Sequence, residues 1–156
     1  MNERVLYERR QIGWVTVVAI FSAVAFITVA LTRSARTPEN TQAYLTIVPF
    51  LAVIGALFSS MTVRVTNTYV AWWFGVPAIG RRVAFGEIAS VAATKTNIME
   101  GWGIHLTWWH GWVWNIAGFN AVEIRLHSGT RFAVGTPEPN VVVAAIERAR
   151  SGTMRA

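Results

Sequence analysis

Two long, uncharged apolar segments constrain this chain more than any other feature. They cover residues 12–31 and 44–61, and neither contains a charged side chain. A helix rises ~1.5 Å per residue, so about 20 residues cross the ~30 Å hydrocarbon layer of a bilayer. Backbone groups in lipid must be paired within the segment, so each segment must be helical there despite its Val and Ile content. The sequence therefore predicts a hairpin of two transmembrane helices.

Each span has an alternative interpretation. The first could be a signal peptide, but it is too long for one and no small-residue cleavage site follows it. The second could be a buried core helix, but its apolar neighbour and lack of a polar face favour the membrane. Pro49 and Gly55 are tolerated in membrane helices. Residues 32–43 form a polar connector, predicted to be extracytoplasmic.

The arginines predict the orientation. Arg4, Arg9 and Arg10 lie in an N-terminal tail of residues 1–11, and further arginines follow the second span, whereas the connector carries Arg33 and Arg36. The positive-inside rule then places both termini in the cytoplasm. With an Arg-rich composition typical of GC-rich prokaryotic genomes, this predicts a multi-pass protein of a prokaryotic cell membrane, with its large domain cytoplasmic.

Composition excludes several functions. The chain has 156 residues, of which 53% are hydrophobic and 14% charged, and its formal net charge is +6. It contains no cysteine, which excludes disulfides, a thiolate nucleophile and a cysteine metal site. Basic cytoplasmic flanks explain the net charge without a nucleic-acid partner. We expect no cofactor and no nucleic-acid binding.

After residue 61 the pattern changes to alternation and turns, which is typical of strands. Residues 62–150 are predicted to form a small barrel or sandwich, followed by a tail of residues 151–156. The predicted strands lie near residues 63–66, 69–74, 81–85, 88–95, 104–108, 112–116, 122–126 and 130–134.

A helix is predicted to end the domain. Thr136 can cap it, and Pro137 suits the first helical position. The apolar residues behind them share one helical stripe, namely Val142, Ala145, Ile146 and Ala149. A stripe this short favours a lid packed on the barrel over a partner-binding face.

Several motifs in this domain resemble the bacterial pleckstrin-homology-like (PH-like) domain proteins, which are small prokaryotic membrane proteins. They are GWGI from residue 101, residues 112–118, AVEI from residue 121, Ser128-Gly129, and GTPEP from residue 135. The resemblance implies a barrel of about seven strands capped by one C-terminal helix. In eukaryotic PH domains a basic loop between the first two strands grips lipid phosphates. That loop is expected here at Asn67-Thr68, which has no Lys or Arg.

One predicted hairpin is crowded with tryptophan, since Trp102, Trp108, Trp109, Trp112 and Trp114 all lie within it. Alternation places Trp112, Trp114 and Ile116 on one face, and one ring of the Trp108-Trp109 pair should face outward. Trp102 and Trp114 could simply fill the core. At the tip, Trp108, Trp109, His110 and Trp112 are predicted to contact a partner protein or the bilayer interface.

Nothing in the sequence predicts catalysis. The candidate side chains are His105, His110, His127, Glu87, Glu100 and Glu123, and their spacing indicates neither a metal site nor a nucleophile with its base. Arg81 and Arg82 form a basic doublet that could touch anionic headgroups.

The sequence thus favours a non-enzymatic, membrane-anchored PH-like module that binds a protein partner or assembles with itself. The alternative is a lipid-binding module at the membrane surface, and an accessory subunit of an enzyme or transporter complex is third.

Overall fold

The computed structural model describes residues 3–33, 37–97 and 100–153. In these ranges the helices are α1 (Trp14–Arg33), α2 (Pro38–Phe58) and α3 (Pro139–Thr153), with a 3-10 turn at Phe85–Glu87. The strands are β1 (Val5–Ile12), β2 (Ser60–Thr66), β3 (Tyr69–Phe74), β4 (Gly80–Ala84), β5 (Ile88–Lys95), β6 (Gly103–Thr107), β7 (Gly111–Asn115), β8 (Asn120–Leu126) and β9 (Arg131–Gly135).

Helices α1 and α2 are long and apolar enough to cross a membrane. Every residue of the two helices is at least partly exposed, so the rest of the protein does not cover them. The helices pack closely where a Cβ on Gly55 would lie 2.9 Å from Cδ1 of Ile20. Helix α2 begins inside the predicted connector, because the Thr37 hydroxyl caps it by accepting a hydrogen bond from the Asn40 amide.

The N-terminal tail is a strand, which the sequence analysis did not predict. Strand β1 pairs antiparallel with β2 over its whole length, from Val5 opposite Thr66 to Ile12 opposite Ser60. The helical hairpin is therefore inserted into a β-hairpin. The Asn67-Thr68 turn joins the second and third strands, so its assignment to the loop between the first two strands was wrong.

The predicted strands after residue 61 are all present, in two sheets. The first sheet has the order β1-β2-β3-β4 and the second has the order β5-β8-β9-β7-β6. All described pairs are antiparallel except β7 with β9, which is parallel. Hydrogen bonding thus gives two sheets of mixed strands, and the closed barrel expected from the resemblance is not among the described pairings.

The main core lies between the two sheets and α3. Trp72 and Phe74 of β3 meet Trp114 of β7, with ring centroids 6.3 and 6.0 Å apart. The predicted stripe of α3 is buried against this core, at Val142, Ala145, Ile146 and Ala149. This confirms the prediction that α3 packs as a lid.

The predicted start of α3 was wrong by two residues, since Pro139 and not Pro137 occupies the first turn. Thr136 is buried, and its hydroxyl accepts a hydrogen bond from the Glu138 amide at 3.3 Å. The helix begins only after this local turn, because the carbonyl of Glu138 accepts from the Val142 amide at 3.2 Å.

Candidate functional site

The β6–β7 hairpin places its tip at Trp108, Trp109 and His110. Thr107 lies opposite Gly111 across the hairpin. Gly111 has a φ of +69°, and a Cβ there would lie 2.5 Å from the carbonyl oxygen of Arg131. Glycine is therefore required both by the backbone conformation and by the close approach of β9.

Four large apolar side chains are exposed together on this hairpin. The exposed fractions are 91% for Trp108, 62% for Trp109, 66% for Leu106 and 42% for Trp112. We call these four residues the tryptophan tip. One ring of the Trp108-Trp109 pair was expected to face outward, and the turn exposes both. Leu106 lies opposite Trp112 in the hairpin and was missed in the sequence, where a lone leucine in a strand carries no signal.

Arg131 of β9 holds the tip in place. Its guanidinium donates hydrogen bonds to the carbonyl oxygen of Trp109 at 3.0 Å and to that of Trp108 at 3.3 Å. Both bonds end on the backbone, so they restrain the turn without covering the indole rings. The sequence offers no sign of this contact, because residues 108 and 131 meet only through the β7–β9 pairing.

His110 anchors the other side of the turn. Its Nδ1 lies 2.6 Å from Oε1 of Glu100, whose side chain is 1% exposed. Its amide donates to the Thr107 hydroxyl at 3.1 Å. His110 was predicted as a contact residue, and the structure places it half-buried behind the exposed rings instead.

The environment of Glu100 favours its charged form. Burial raises the pKa of Glu100, but the hydrogen bonds with His110 and with the Asn97 amide, together with the electrostatic attraction of His110, outweigh this and lower the pKa below the ordinary value for a glutamate. The Asn97 amide donates to Oε2 of Glu100 at 2.9 Å. The carboxylate is thus a fixed part of the scaffold under the tip.

The remaining tryptophans divide between core and surface. Trp72 is fully buried, and Trp114 packs against it and against Phe74. Trp102 is 44% exposed at the start of the hairpin, away from the tip. The sequence left both Trp102 and Trp114 as possible core residues, and of these two Trp114 packs against the core.

The tip lies at the end of the second sheet that is remote from the helices. At the near end, Gln11 donates through Nε2 to the carbonyl oxygen of Gly135 at 2.7 Å, and Gly13 abuts Ile116. Gln11 and Gly13 directly precede α1. Arg131, which contacts the tip, lies four residues before Gly135 on β9. Along a strand, that spacing separates the two residues by ~13 Å.

Arg81 and Arg82 do not converge on one site. Their neighbouring positions on β4 direct them to opposite faces of the sheet. The Arg81 guanidinium lies 5.1 Å from the ring centroid of Phe132, and that of Arg82 lies 4.1 Å from the ring centroid of Tyr69. Each is already engaged with an aromatic ring.

The other candidate side chains are dispersed. Glu87 accepts from the Ala84 amide, and Glu123 pairs with Arg125. His127 is exposed, and Nε2 of His105 is buried without a hydrogen-bond partner. Within residues 3–33, 37–97 and 100–153, no three metal-ligating side chains come together. Glu100 and His110 are the candidates that the fold pairs.

No protein-family model matches the chain, and no curated protein matches it at a significant level of similarity.

Proposed function

We propose that this protein is a non-enzymatic, membrane-anchored module that binds a protein partner through the tryptophan tip. The observation that carries the proposal is the joint exposure of Leu106, Trp108, Trp109 and Trp112 at one end of the domain. Exposed apolar clusters of this kind are typical of interaction surfaces, and tryptophan is enriched among the residues that dominate binding energy.

The support beneath the tip favours binding. Arg131 restrains the turn backbone, and the Glu100–His110 pair restrains the opposite side. A surface that is already ordered loses less conformational entropy when a partner covers it. These contacts therefore give the indole rings a fixed presentation before any partner arrives.

The position of the tip favours a protein over the bilayer. The rings lie at the ends of β7 and β9 that are remote from Gln11 and Gly13, where the helices begin. A ring directed away from its own membrane anchor is available to a soluble domain, to another membrane protein or to a second copy of this chain.

The strand order supports a PH-like assignment. The first sheet, the antiparallel run β5-β8-β9 and α3 together supply seven strands and one closing helix. On this assignment the helical hairpin is one insertion, between the first two strands, and the β6–β7 hairpin is another. The tryptophan tip would then be an addition to the common fold, which is where a protein-specific function is expected.

The pairing of β1 with β2 supports the proposed topology. If α1 and α2 both cross the membrane, this pairing keeps residues 5–12 and the β domain on one side. The arginine distribution favours the cytoplasmic side. Cleavage of α1 as a signal peptide would also remove a strand of the first sheet, so an uncleaved anchor is favoured.

The proposal is tested by photo-crosslinking in intact cells. A benzophenone amino acid replaces Trp108 in one variant and Phe119, an exposed aromatic at the other end of the sheet, in the control. We expect a discrete crosslinked protein from position 108 that is lost when Trp109 and Trp112 are also changed to Ala. A product of twice the chain mass would identify self-assembly, and crosslinking only to lipid would contradict the proposal.

A further inference from the structure

The loop between β3 and β4 packs against the end of the second apolar helix. The Gly75 amide donates to the carbonyl oxygen of Ser60 at 2.9 Å, and the rings of Phe74 and Phe58 lie 5.6 Å apart. Gly75 has a φ of +52°, and a Cβ there would lie 2.5 Å from the carbonyl oxygen of Leu57. The loop is therefore held at the level where α2 ends.

The loop exposes apolar residues where a water-facing turn normally carries polar ones. Val76, Pro77 and Ala78 are exposed, and Val76 is 43% accessible. Two turns at the opposite end of the domain, Asn67-Thr68 and Ser128-Gly129, are polar, and the apolar turn there is the tryptophan tip. The loop that contains Val76 is separate from that tip, because it lies at the end of the domain that adjoins α2.

Other residues at this level have the character of a membrane interface. Trp14 is the first residue of α1 and is 67% exposed. Arg10 is exposed four residues before α1, and its guanidinium donates to the Ser60 hydroxyl at 2.8 Å. Tryptophan and arginine are the side chains enriched where helices leave the hydrocarbon layer on the cytoplasmic side.

We propose that Val76, Pro77 and Ala78 insert into the headgroup layer of the bilayer and form a third attachment of the β domain, beside α1 and α2. This inference rests on the proposed membrane anchoring. A hairpin of two helices alone leaves the domain free to tilt, whereas a third contact restrains it. With its orientation restrained by this third contact, the β domain holds the tryptophan tip away from the lipid surface.

The test uses single-cysteine variants of the full chain, which is naturally free of cysteine. Val76→Cys and Ala78→Cys are labelled with the environment-sensitive fluorophore NBD in phosphatidylcholine nanodiscs. A phosphatidylcholine that carries a nitroxide on its acyl chain near the headgroup serves as quencher. Trp14→Cys is the interface reference, Phe21→Cys is the reference within the span, and Ser128→Cys is the control at the opposite end.

We expect the probes at positions 76 and 78 to be quenched to the same extent as the probe at position 14, with blue-shifted emission, while position 128 is unaffected. Quenching at positions 14 and 21 but not at 76 or 78 would overturn this inference and leave the anchoring intact. Absence of quenching at positions 14 and 21 would overturn the anchoring and the inference together.

Discussion

Ile12, the last residue of β1, lies opposite Ser60, the first residue of β2, although both long apolar helices separate them in sequence. The two ends of the helical hairpin are therefore fixed beside each other by a β-sheet. This relationship joins the helical hairpin to the β domain without a flexible linker, and it makes residues 5–12 part of that domain.

The first prediction concerns topology. In intact cells an impermeant thiol reagent should label Asn40→Cys and leave Leu6→Cys and Ser151→Cys unlabelled, because β1 and the β domain share one side. Permeabilisation should expose the two protected sites, which controls for their reactivity. Labelling of Leu6→Cys and Ser151→Cys but not Asn40→Cys would reverse the orientation, and opposite results at positions 6 and 151 would contradict the β1–β2 pairing.

The second prediction concerns the removal of the helices. A variant in which residues 13–59 are replaced by Asn-Gly should be soluble and folded, since a two-residue turn of this type closes an antiparallel pair such as Ile12 and Ser60. A fragment of residues 60–156 keeps all of β2 but lacks β1, and it should be less stable by at least about 2 kcal/mol, because Tyr7 and a ladder of hydrogen bonds are lost.

Urea unfolding followed by circular dichroism measures both proteins. Equal midpoints would show that β1 contributes nothing to the fold.

The third prediction separates surface from core tryptophans by stability. Trp108→Ala should change the free energy of unfolding by no more than ~0.5 kcal/mol, because a ring that is 91% exposed fills no cavity. Trp114→Ala should cost about 3–5 kcal/mol, because its ring packs between Trp72 and Phe74. Thermal unfolding of the soluble variant compares them. A large loss of stability in Trp108→Ala would assign that ring to the core and remove the basis of the proposed function.

The fourth prediction concerns the restraint of the tip. Arg131→Gln shortens the side chain that binds the carbonyls of Trp108 and Trp109. Because the contact is at the surface, we expect a stability loss of about 1 kcal/mol or less. Amide hydrogen exchange in residues 106–112 should nevertheless become faster. Arg148→Gln is the matched control, since it removes an exposed arginine on α3 whose Nε donates to the carbonyl oxygen of Ala144 on the same helix. Unchanged exchange in the tip would show that Arg131 does not order it.

The fifth prediction is a pH dependence at Glu100. The folded-state pKa of Glu100 is lowered, so its contribution to stability is fully present above the unfolded-state pKa and is lost as the pH falls through the folded-state pKa. Glu100→Gln lacks this contribution and should be less stable by about 1–2 kcal/mol at pH 7. The difference in melting temperature between the wild type and Glu100→Gln should shrink as the pH is lowered from 7 to about 3. A difference that is constant with pH would exclude an ionised Glu100–His110 contact.

The sequence alone determined the elements that depend on local pattern. The two apolar segments, the strands after residue 61 and the stripe of α3 were all readable, because each has a hydrophobic period that matches its own geometry. Strand β1 could not be predicted, because Glu8, Arg9 and Arg10 break the alternation of apolar and polar residues that indicates a strand. It is an edge strand, and its partner β2 follows both helices in the sequence. Strand β1 is stabilised by its pairing with β2, and a local sequence pattern cannot indicate a partner so distant in the chain.

The same distinction applies to the candidate site. The density of tryptophan in residues 102–114 was enough to single out the hairpin as a candidate interaction surface. The sequence could not show which rings are exposed. It also could not show that His110 turns inward to Glu100 or that Arg131 holds the turn. These depend on the parallel pairing of β7 with β9 and on which end of the sheet adjoins the helices. Such relationships join residues distant in sequence, and only tertiary packing brings them within hydrogen-bonding distance.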